Sequence, residues 1–303
     1  MHASNLDPIN SSPHPQRVEL LAPAKINLFL YVIDRRVDGY HELYSLMCPV
    51  ALYDRLTIET GPPVDQFTYH HPDLPQDASN LVRKAAHTFK QALSAETDIP
   101  PIPVAIDLVK QIPISAGLGG GSSDAAATLK GLNQIHGKPF AASRLHRLAL
   151  SVGADVPFFI DGRPAIAQGV GERLSAFDAV PAFWTVLIYP GYGFSTAQVF
   201  RNLNLPLTKS KKNLRNVPFI KETFKVPNHL HNDLEKGVGI GWETIQRNKT
   251  ALMNKGALGA LMTGSGSTVF GLFTDKATAE KAAKCLGKAH EQQVFVAKLL
   301  SRG

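Results

Sequence analysis

The stretch Pro113–Leu129, PISAGLGGGSSDAAATL, constrains the fold more than any other part of the chain. It follows a strand-like run, Val104–Val109 (VAIDLV), and leads into an alanine-rich, helix-forming run. Glycine loses more backbone entropy on folding than other residues, so a chain that clusters Gly117 and Gly119–Gly121 needs bare backbone there. Strand, glycine turn and helix in that order aim backbone N–H groups and a helix N-terminus at one spot. Such a spot suits an anion, phosphate above all. Ser122 and Ser123 add hydroxyl donors, and with Asp124 they are expected to cap a helix running to about Ile135. No GKS or GKT follows, so this is not a lysine-bearing phosphate loop. Ser122 stands where G-x-G-x-x-G requires its third glycine, which excludes the dinucleotide fingerprint as well.

A chain of 303 residues, 44% of them hydrophobic, holds one large domain or two medium ones. No apolar run approaches the roughly 20 residues needed to span a bilayer, and no membrane partner is expected. Residues 1–16 are polar and read as a flexible arm. Cys48 and Cys285 form neither a disulfide framework nor a four-cysteine zinc site, which fits a reducing cytoplasm. His70, His71, His229 and His231 match no zinc pattern and are expected at the surface, so no metal-ligating residues are assigned. The net charge of +7 favours anionic partners. Six basic residues between Lys209 and Lys225, against Glu222 alone, supply most of it. No nucleic-acid-binding motif appears, and no nucleic-acid partner is expected.

Ile26, Leu28, Leu30 and Val32 alternate with Lys25, Asn27, Phe29 and Tyr31. That period predicts a strand with Lys25 and Asn27 on one face. Asn80 opens a helix whose apolar face is Leu81, Ala85, Phe89 and Leu93. A helix over Ala141–Val152 ends at Gly153, leaving Asp155 just beyond it and two residues before Pro157. The strand in Phe183–Pro190 begins a new section, and a second glycine turn, TGSGST (Thr263–Thr268), lies between apolar strands. Strands and helices mix without strict alternation, which predicts an α+β fold of two domains, 17–178 and 179–303.

PISAGLGGGSSDAA resembles the phosphate-binding motif of the GHMP kinase superfamily, with Gly120 and Gly121 enlarging the turn. PAKINLFL, DGYHEL, GADVPFF, NDLE and TGSGST are similar to one branch of it, and together the matches run from residue 23 to 268. Ser115-Ala116 departs from a motif that often carries glycines there, a change expected to be tolerated. The resemblance implies an N-terminal ATP-binding α/β domain, a C-terminal ferredoxin-like α+β domain and an active site between them. It implies ATP with Mg²⁺ as donor, cradled by Pro113, Ile114, Ser115, Ala116, Gly117, Leu118, Gly119, Gly120, Gly121, Ser122 and Ser123. It implies 4-diphosphocytidyl-2-C-methyl-D-erythritol as acceptor, phosphorylated on its 2-hydroxyl in non-mevalonate isoprenoid synthesis. Lys25 and Asp155 become the catalytic pair, with Asp155 as general base. An ammonium beside a carboxylate keeps it ionised and favours a developing alkoxide. Tyr40 would stack on the cytosine, His41 bond its edge and Phe200 form the second wall. Asn27, Gly264, Ser265 and Gly266 would complete the acceptor side, while Asn232 and Asp233 look architectural. A sister kinase acting on homoserine, mevalonate or a sugar is the competing reading, because it needs no Tyr40–His41 pair. Taken singly, a lysine on a strand is ordinarily a solvated residue, and an aspartate after a helix ordinarily a cap.

Overall fold

The computed structural model describes residues 16–203, 223–287 and 292–301. The expected arm falls outside them except for Gln16, and so does the basic segment up to residue 222. The chain opens with two long strands, β1 (Arg17–Arg35) and β2 (His41–Thr60), then β3 (Gln66–Tyr69), α1 (Leu81–Glu96) and β4 (Val104–Val109). Next come α2 (Gly120–Ile135), α3 (Ala142–Val152), α4 (Val156–Asp161), β5 (Ala165–Gly169) and β6 (Arg173–Ala176). The remainder is β7 (Trp184–Tyr189), α5 (Thr196–Arg201), α6 (Val226–His229), β8 (His231–Asn232), a 3₁₀ turn at Asp233–Gly237 and α7 (Trp242–Asn254). It ends with β9 (Gly259–Met262), β10 (Val269–Phe273), α8 (Lys276–Leu286) and β11 (Gln293–Lys298).

The first sheet runs β3-β4-β2-β1-β8, with β5 on β2 and β6 on β5. The second runs β11-β7-β10-β9, every pair antiparallel. With α7 and α8 it forms the βαββαβ order of a ferredoxin-like unit. The two-domain α+β expectation holds.

The alternation expected along β1 does not separate a wet face from a dry one, because every residue from Ala24 to Leu30 is buried. The reason is layering. On one face of the first sheet, Leu56, Ile58 and Ile106 pack with Phe89 of α1, Leu129 of α2 and Leu148 of α3. On the other face, Ile26, Leu28, Leu46 and Val50 pack with Leu187, Phe270 and Leu272 of the second sheet. The second sheet in turn buries Val186, Ile188 and Phe273 under Ile245 and Leu252 of α7 and Ala279 of α8. The order is helices, sheet, sheet, helices. A strand covered on both sides reads as a continuous apolar run, so Lys25 and Asn27 lie inside the molecule.

The C-terminal half also returns a strand to the first sheet. β8 pairs in parallel with β1, His231 opposite Phe29 and Asn232 opposite Leu30. Asp233 accepts the Val32 N–H at 3.0 Å and is bonded by His231 and Lys236 at 2.9 Å each. Burial alone would raise its carboxyl, but these bonds hold it down at about 2. Asn232 and Asp233 are architectural, as expected. His70 is exposed, while His71, His229 and His231 are each half-buried, His231 stacking on Tyr31 at 4.3 Å. The surface expectation holds fully for His70 and in part for the other three.

Asn80 caps α1 by accepting the Val82 N–H at 2.9 Å. The expected cap of α2 is different. Gly119, with φ of 70°, takes the cap position and Ser122, Ser123 and Asp124 fall inside the helix. A left-handed residue is cheap only for glycine, and it starts the helix earlier than a serine cap would. Asp124 turns inward instead. Lys110 at the start of the glycine loop bonds Asp124 at 2.8 Å and also bonds Asp54 of β2. Asp54 accepts the Gln111 and Ile112 N–H groups at 2.6 and 2.9 Å. One buried cation between two buried carboxylates thus fixes both ends of the loop. Burial pushes the Asp124 carboxyl up to about 8 against the pull of Lys110 and with the push of Asp54.

Lys110→Met leaves the buried Asp54 carboxylate without its cation, and we expect a loss of about 3–5 kcal/mol in urea unfolding. Asp124 binds its proton more tightly folded than unfolded. Its contribution is therefore full below its ordinary value near 3.8 and is lost as pH rises through about 8. The stability difference between the wild type and Asp124→Asn should accordingly narrow or reverse across that window; a difference independent of pH would contradict the assignment.

Candidate active site

A cavity of about 510 Å³ lies between the two halves of the molecule. Lys25 and Asn27 of β1 enter from the floor, and Ser115, Gly117 and Gly119 of the glycine loop from one side. Asp155 and Gly171 face it from the first domain; Phe194, Phe200, Gly264 and Ser265 face it from the second half.

The glycine loop owes its bare backbone first to the protein itself. A Cβ on Gly117, whose φ is 77°, would drive into the Thr263 carbonyl oxygen and sit 3.0 Å from that of Gly266. A Cβ on Gly119 would lie 2.9 Å from the Phe159 ring and 3.0 Å from Lys25 Cγ. Main-chain bonds knit the same contact: Thr268 N–H donates to the Ala116 carbonyl at 3.2 Å, and Lys25 N–H to that of Leu118 at 2.9 Å. Ser115 sits at φ 56°, so the departure from glycine there is accommodated at a cost of about 1 kcal/mol. Ala116, Leu118, Gly120 and Ser123 are buried, Ser122 is half-buried and Gly121 is exposed. Pro113, Ile114 and Ser115 also border a second cavity of about 460 Å³, opposite Tyr189 and Gln293. The first turn of α2, whose leading N–H groups have no intrahelical partner, follows Gly119 at the edge of the first cavity.

Lys25 Nζ donates to Asn27 Oδ1 at 2.6 Å. Burial lowers its ammonium below the ordinary lysine value, while the charge of Asp155 works against that. Asp155 occupies the cap position of α4, ahead of Pro157, and its side chain makes no capping bond. A Cβ on Gly171 would stand 3.8 Å from Asp155 Oδ1, so the carboxylate faces bare backbone across the cavity. Lys25 and Asp155, 130 residues apart in number, thus meet at one cavity as expected of them.

The acceptor residues divide. Phe200 lines the cavity, and His41 stacks on it with ring centroids 4.9 Å apart and planes at 23°. Burial and then the charge of Arg35 lower His41 below the ordinary imidazole value, which favours the neutral ring with one donor and one acceptor. Tyr40 does not join them: it sits at the tip of the β1–β2 hairpin, 64% exposed, outside the cavity lining. Gly264 and Ser265 line the cavity, but Gly266 faces inward, where a Cβ would lie 2.6 Å from Met262 Sδ and 2.7 Å from the Phe194 ring. Asn232 holds this turn by donating to the Met262 and Gly264 carbonyls at 2.8 Å each.

Sequence reasoning missed several lining residues. Ser45 of β2, Thr196 at the start of α5, and Val170 with Gly171 all border the cavity. The Gly169-x-Gly171 pair signalled a turn, which Glu172 closes by accepting the Val170 N–H at 2.7 Å. Ser45 and Thr196 carried no local signal.

Comparisons with known proteins bear on the family and the fold. Residues 80–163 match the family model described as the GHMP kinases N terminal domain, and 227–292 that of GHMP kinases C terminal. The chain is 44% identical to the 4-diphosphocytidyl-2-C-methyl-D-erythritol kinase of Syntrophotalea carbinolica, over 91% of this chain and 96% of that one. It is 40% identical to the enzyme of the same name from Geobacter sulfurreducens, over 89% and 95%. A crystal structure of 4-(cytidine 5'-diphospho)-2C-methyl-D-erythritol kinase superposes with a TM-score of 0.74 at 35% identity, covering 93% of this chain and 99% of that one. A homoserine kinase from Cytophaga hutchinsonii shares the fold, at 19% identity and a TM-score of 0.66 over 97% of this chain and 98% of that one.

Gly117→Ala tests the contact between the glycine loop and the second turn. Overpacking should cost about 1–3 kcal/mol beyond the left-handed strain, and turnover should fall with it. A variant with unchanged melting temperature and rate would show that the two turns need not touch.

Proposed function

The chain belongs to the family of 4-diphosphocytidyl-2-C-methyl-D-erythritol kinases within the GHMP kinases, and from that membership we propose the reaction it performs. It transfers the γ-phosphoryl group of ATP to the 2-hydroxyl of 4-diphosphocytidyl-2-C-methyl-D-erythritol, releasing ADP, in non-mevalonate isoprenoid synthesis. The observation that carries the reading is the meeting of a buried lysine, an uncapped aspartate and a glycine loop at one cavity.

Phosphoryl transfer asks the protein for positioning and charge stabilisation. The loop from Pro113 to Ser123 and the first turn of α2 hold the triphosphate through backbone N–H groups. Asp155 accepts the hydrogen bond of the 2-hydroxyl and then its proton. The hydroxyl oxygen forms the new bond to the γ-phosphorus as the bond to the ADP oxygen breaks. Lys25, charged and desolvated, steadies the phosphoryl oxygens in transit. His41, stacked on Phe200, bonds the edge of the cytosine, the exposed Tyr40 ring folds in from the tip of the β1–β2 hairpin to stack on the base, and Asn27, Gly264 and Ser265 frame the acceptor.

Mg²⁺ fits the donor side. Ser123 Oγ is buried without a hydrogen-bond partner in the first turn of α2, and the neighbouring Ser122 hydroxyl is a second oxygen donor. Among the described residues no group of three His, Cys, Asp or Glu side chains is placed to hold a metal ion, so the ion is taken to come with the nucleotide. Bound there, it neutralises phosphate charge. Among the described residues no helix is long and apolar enough to cross a membrane. Two free cysteines fit our placement of the enzyme in the cytoplasm. We divide the chain at residues 178 and 179.

The direct test is ADP release in the presence of each acceptor, with the new phosphate located by NMR. Release with the cytidylyl substrate and phosphate on the 2-hydroxyl is expected. Release only with homoserine, mevalonate or a sugar would overturn the assignment. Lys25→Ala and Asp155→Asn should each cut turnover by about 10²–10⁴ while melting like the wild type. Tyr40→Ala should raise KM for the cytidylyl substrate at least about fivefold, from the roughly 1–3 kcal/mol of a base–aromatic stack, with KM for ATP unchanged. An unchanged acceptor KM would remove Tyr40 from the site.

A further inference from the structure

The ammonium of Lys25 is aimed through one neighbour. Its hydrogen bond goes to Asn27 Oδ1, and a carboxamide presents either an acceptor oxygen or a donor nitrogen. Only the oxygen can face an ammonium, so something must hold that orientation against rotation of the amide.

Two buried hydroxyls do so from opposite sides. Ser45 Oγ donates to the Phe29 carbonyl at 2.6 Å, which uses its single proton. It is left as an acceptor and takes the Asn27 Nδ2 hydrogen at 2.8 Å. Thr263 Oγ1 accepts the Asn27 main-chain N–H at 3.0 Å and turns its own proton toward Asn27 Oδ1, 3.4 Å away. Both hydroxyls select the same amide orientation. Asn27, Ser45 and Thr263 are 3%, 3% and 0% exposed, so water does not compete for these bonds.

The three residues come from separate parts of the fold. Asn27 lies on β1 where the register with β2 slips between Asn27 and Phe29, and Ser45 lies on β2. Thr263 follows β9 in the second sheet, at the point where Gly117 leaves room for its carbonyl. The aim of Lys25 therefore depends on a hydroxyl supplied by the other half of the molecule.

We propose that Ser45 and Thr263 are positioning residues that lock the Asn27 amide and thereby direct the Lys25 ammonium at the transferring phosphoryl group. This inference rests on the kinase reading for its consequence and on the hydrogen-bond network for its mechanism.

Thr263→Val keeps shape and removes the hydroxyl; Thr263→Ser keeps the hydroxyl. Thr263→Val should lower kcat about 100-fold, the scale of a misaimed group, and leave KM for ATP within about twofold. Thr263→Ser should restore kcat to within about threefold. Ser45→Ala should act in the same direction. A readout independent of turnover is the titration of Lys25 followed by NMR in lysine-labelled protein, each variant compared with the wild type. Asp155 is the charged group acting on Lys25 and stays in place in every variant. An amide free to turn its nitrogen toward the ammonium should make Lys25 lose its proton at lower pH in Thr263→Val but not in Thr263→Ser. Wild-type kcat and titration in Thr263→Val would overturn the proposal. Equal impairment of Thr263→Ser and Thr263→Val, tracking their melting temperatures, would overturn it too. A wild type that transfers no phosphoryl group would defeat the kinase reading alone, because the lysine titration still tests the network.

Discussion

The site depends on a backbone-to-backbone contact. Gly117 in the first glycine loop lies against the Thr263 carbonyl in the second, with no room for a side chain between them. Through it the second sheet comes close enough to seal the cavity, and the Thr268 N–H reaches the Ala116 carbonyl. The contact is backed by a core in which Ile26, Leu28 and Leu46 share their packing with Leu187, Phe270 and Leu272. An apolar interface of that kind favours one fixed arrangement of the halves over a loose hinge.

From that arrangement the chemistry follows. A lysine on a strand covered on both faces loses hydration, which makes its ammonium costly unless the surroundings are polar. Asn27 and the charge of Asp155 provide those surroundings, so the lysine that is least at home in the core is the one kept for charge stabilisation. The nearby Lys110 has the opposite fate. Asp54 and Asp124 take its hydrogen bonds, and it holds the loop in place.

Much of this was legible in the sequence because the signals were local. Asn80 announced its helix, VAIDLV its strand, and the glycine turns their positions. The pairing of Lys25 with Asp155 came from resemblance, since nothing local links residues 130 apart. What escaped was set by tertiary contact. Ser122, Ser123 and Asp124 read as caps, but Gly119 could adopt a left-handed backbone and displaced them. Asp124 found Lys110, which no spacing rule predicts. Thr263 was noticed only as the edge of a glycine turn, although its hydroxyl reaches Asn27, 236 residues away. Alternation along β1 was visible, yet its meaning depended on a second sheet that the strand itself does not encode.

The central claim is that the acceptor hydroxyl and the donor phosphoryl group meet between Asp155 and Lys25. A crystal structure with the cytidylyl acceptor and a non-hydrolysable ATP analogue measures this directly. The account predicts the 2-hydroxyl oxygen at about 3 Å from the Asp155 carboxylate, with Lys25 Nζ in hydrogen-bond reach of the γ-phosphoryl oxygens. A hydroxyl more than about 6 Å from Asp155, beyond the span of one bridging water, would contradict it.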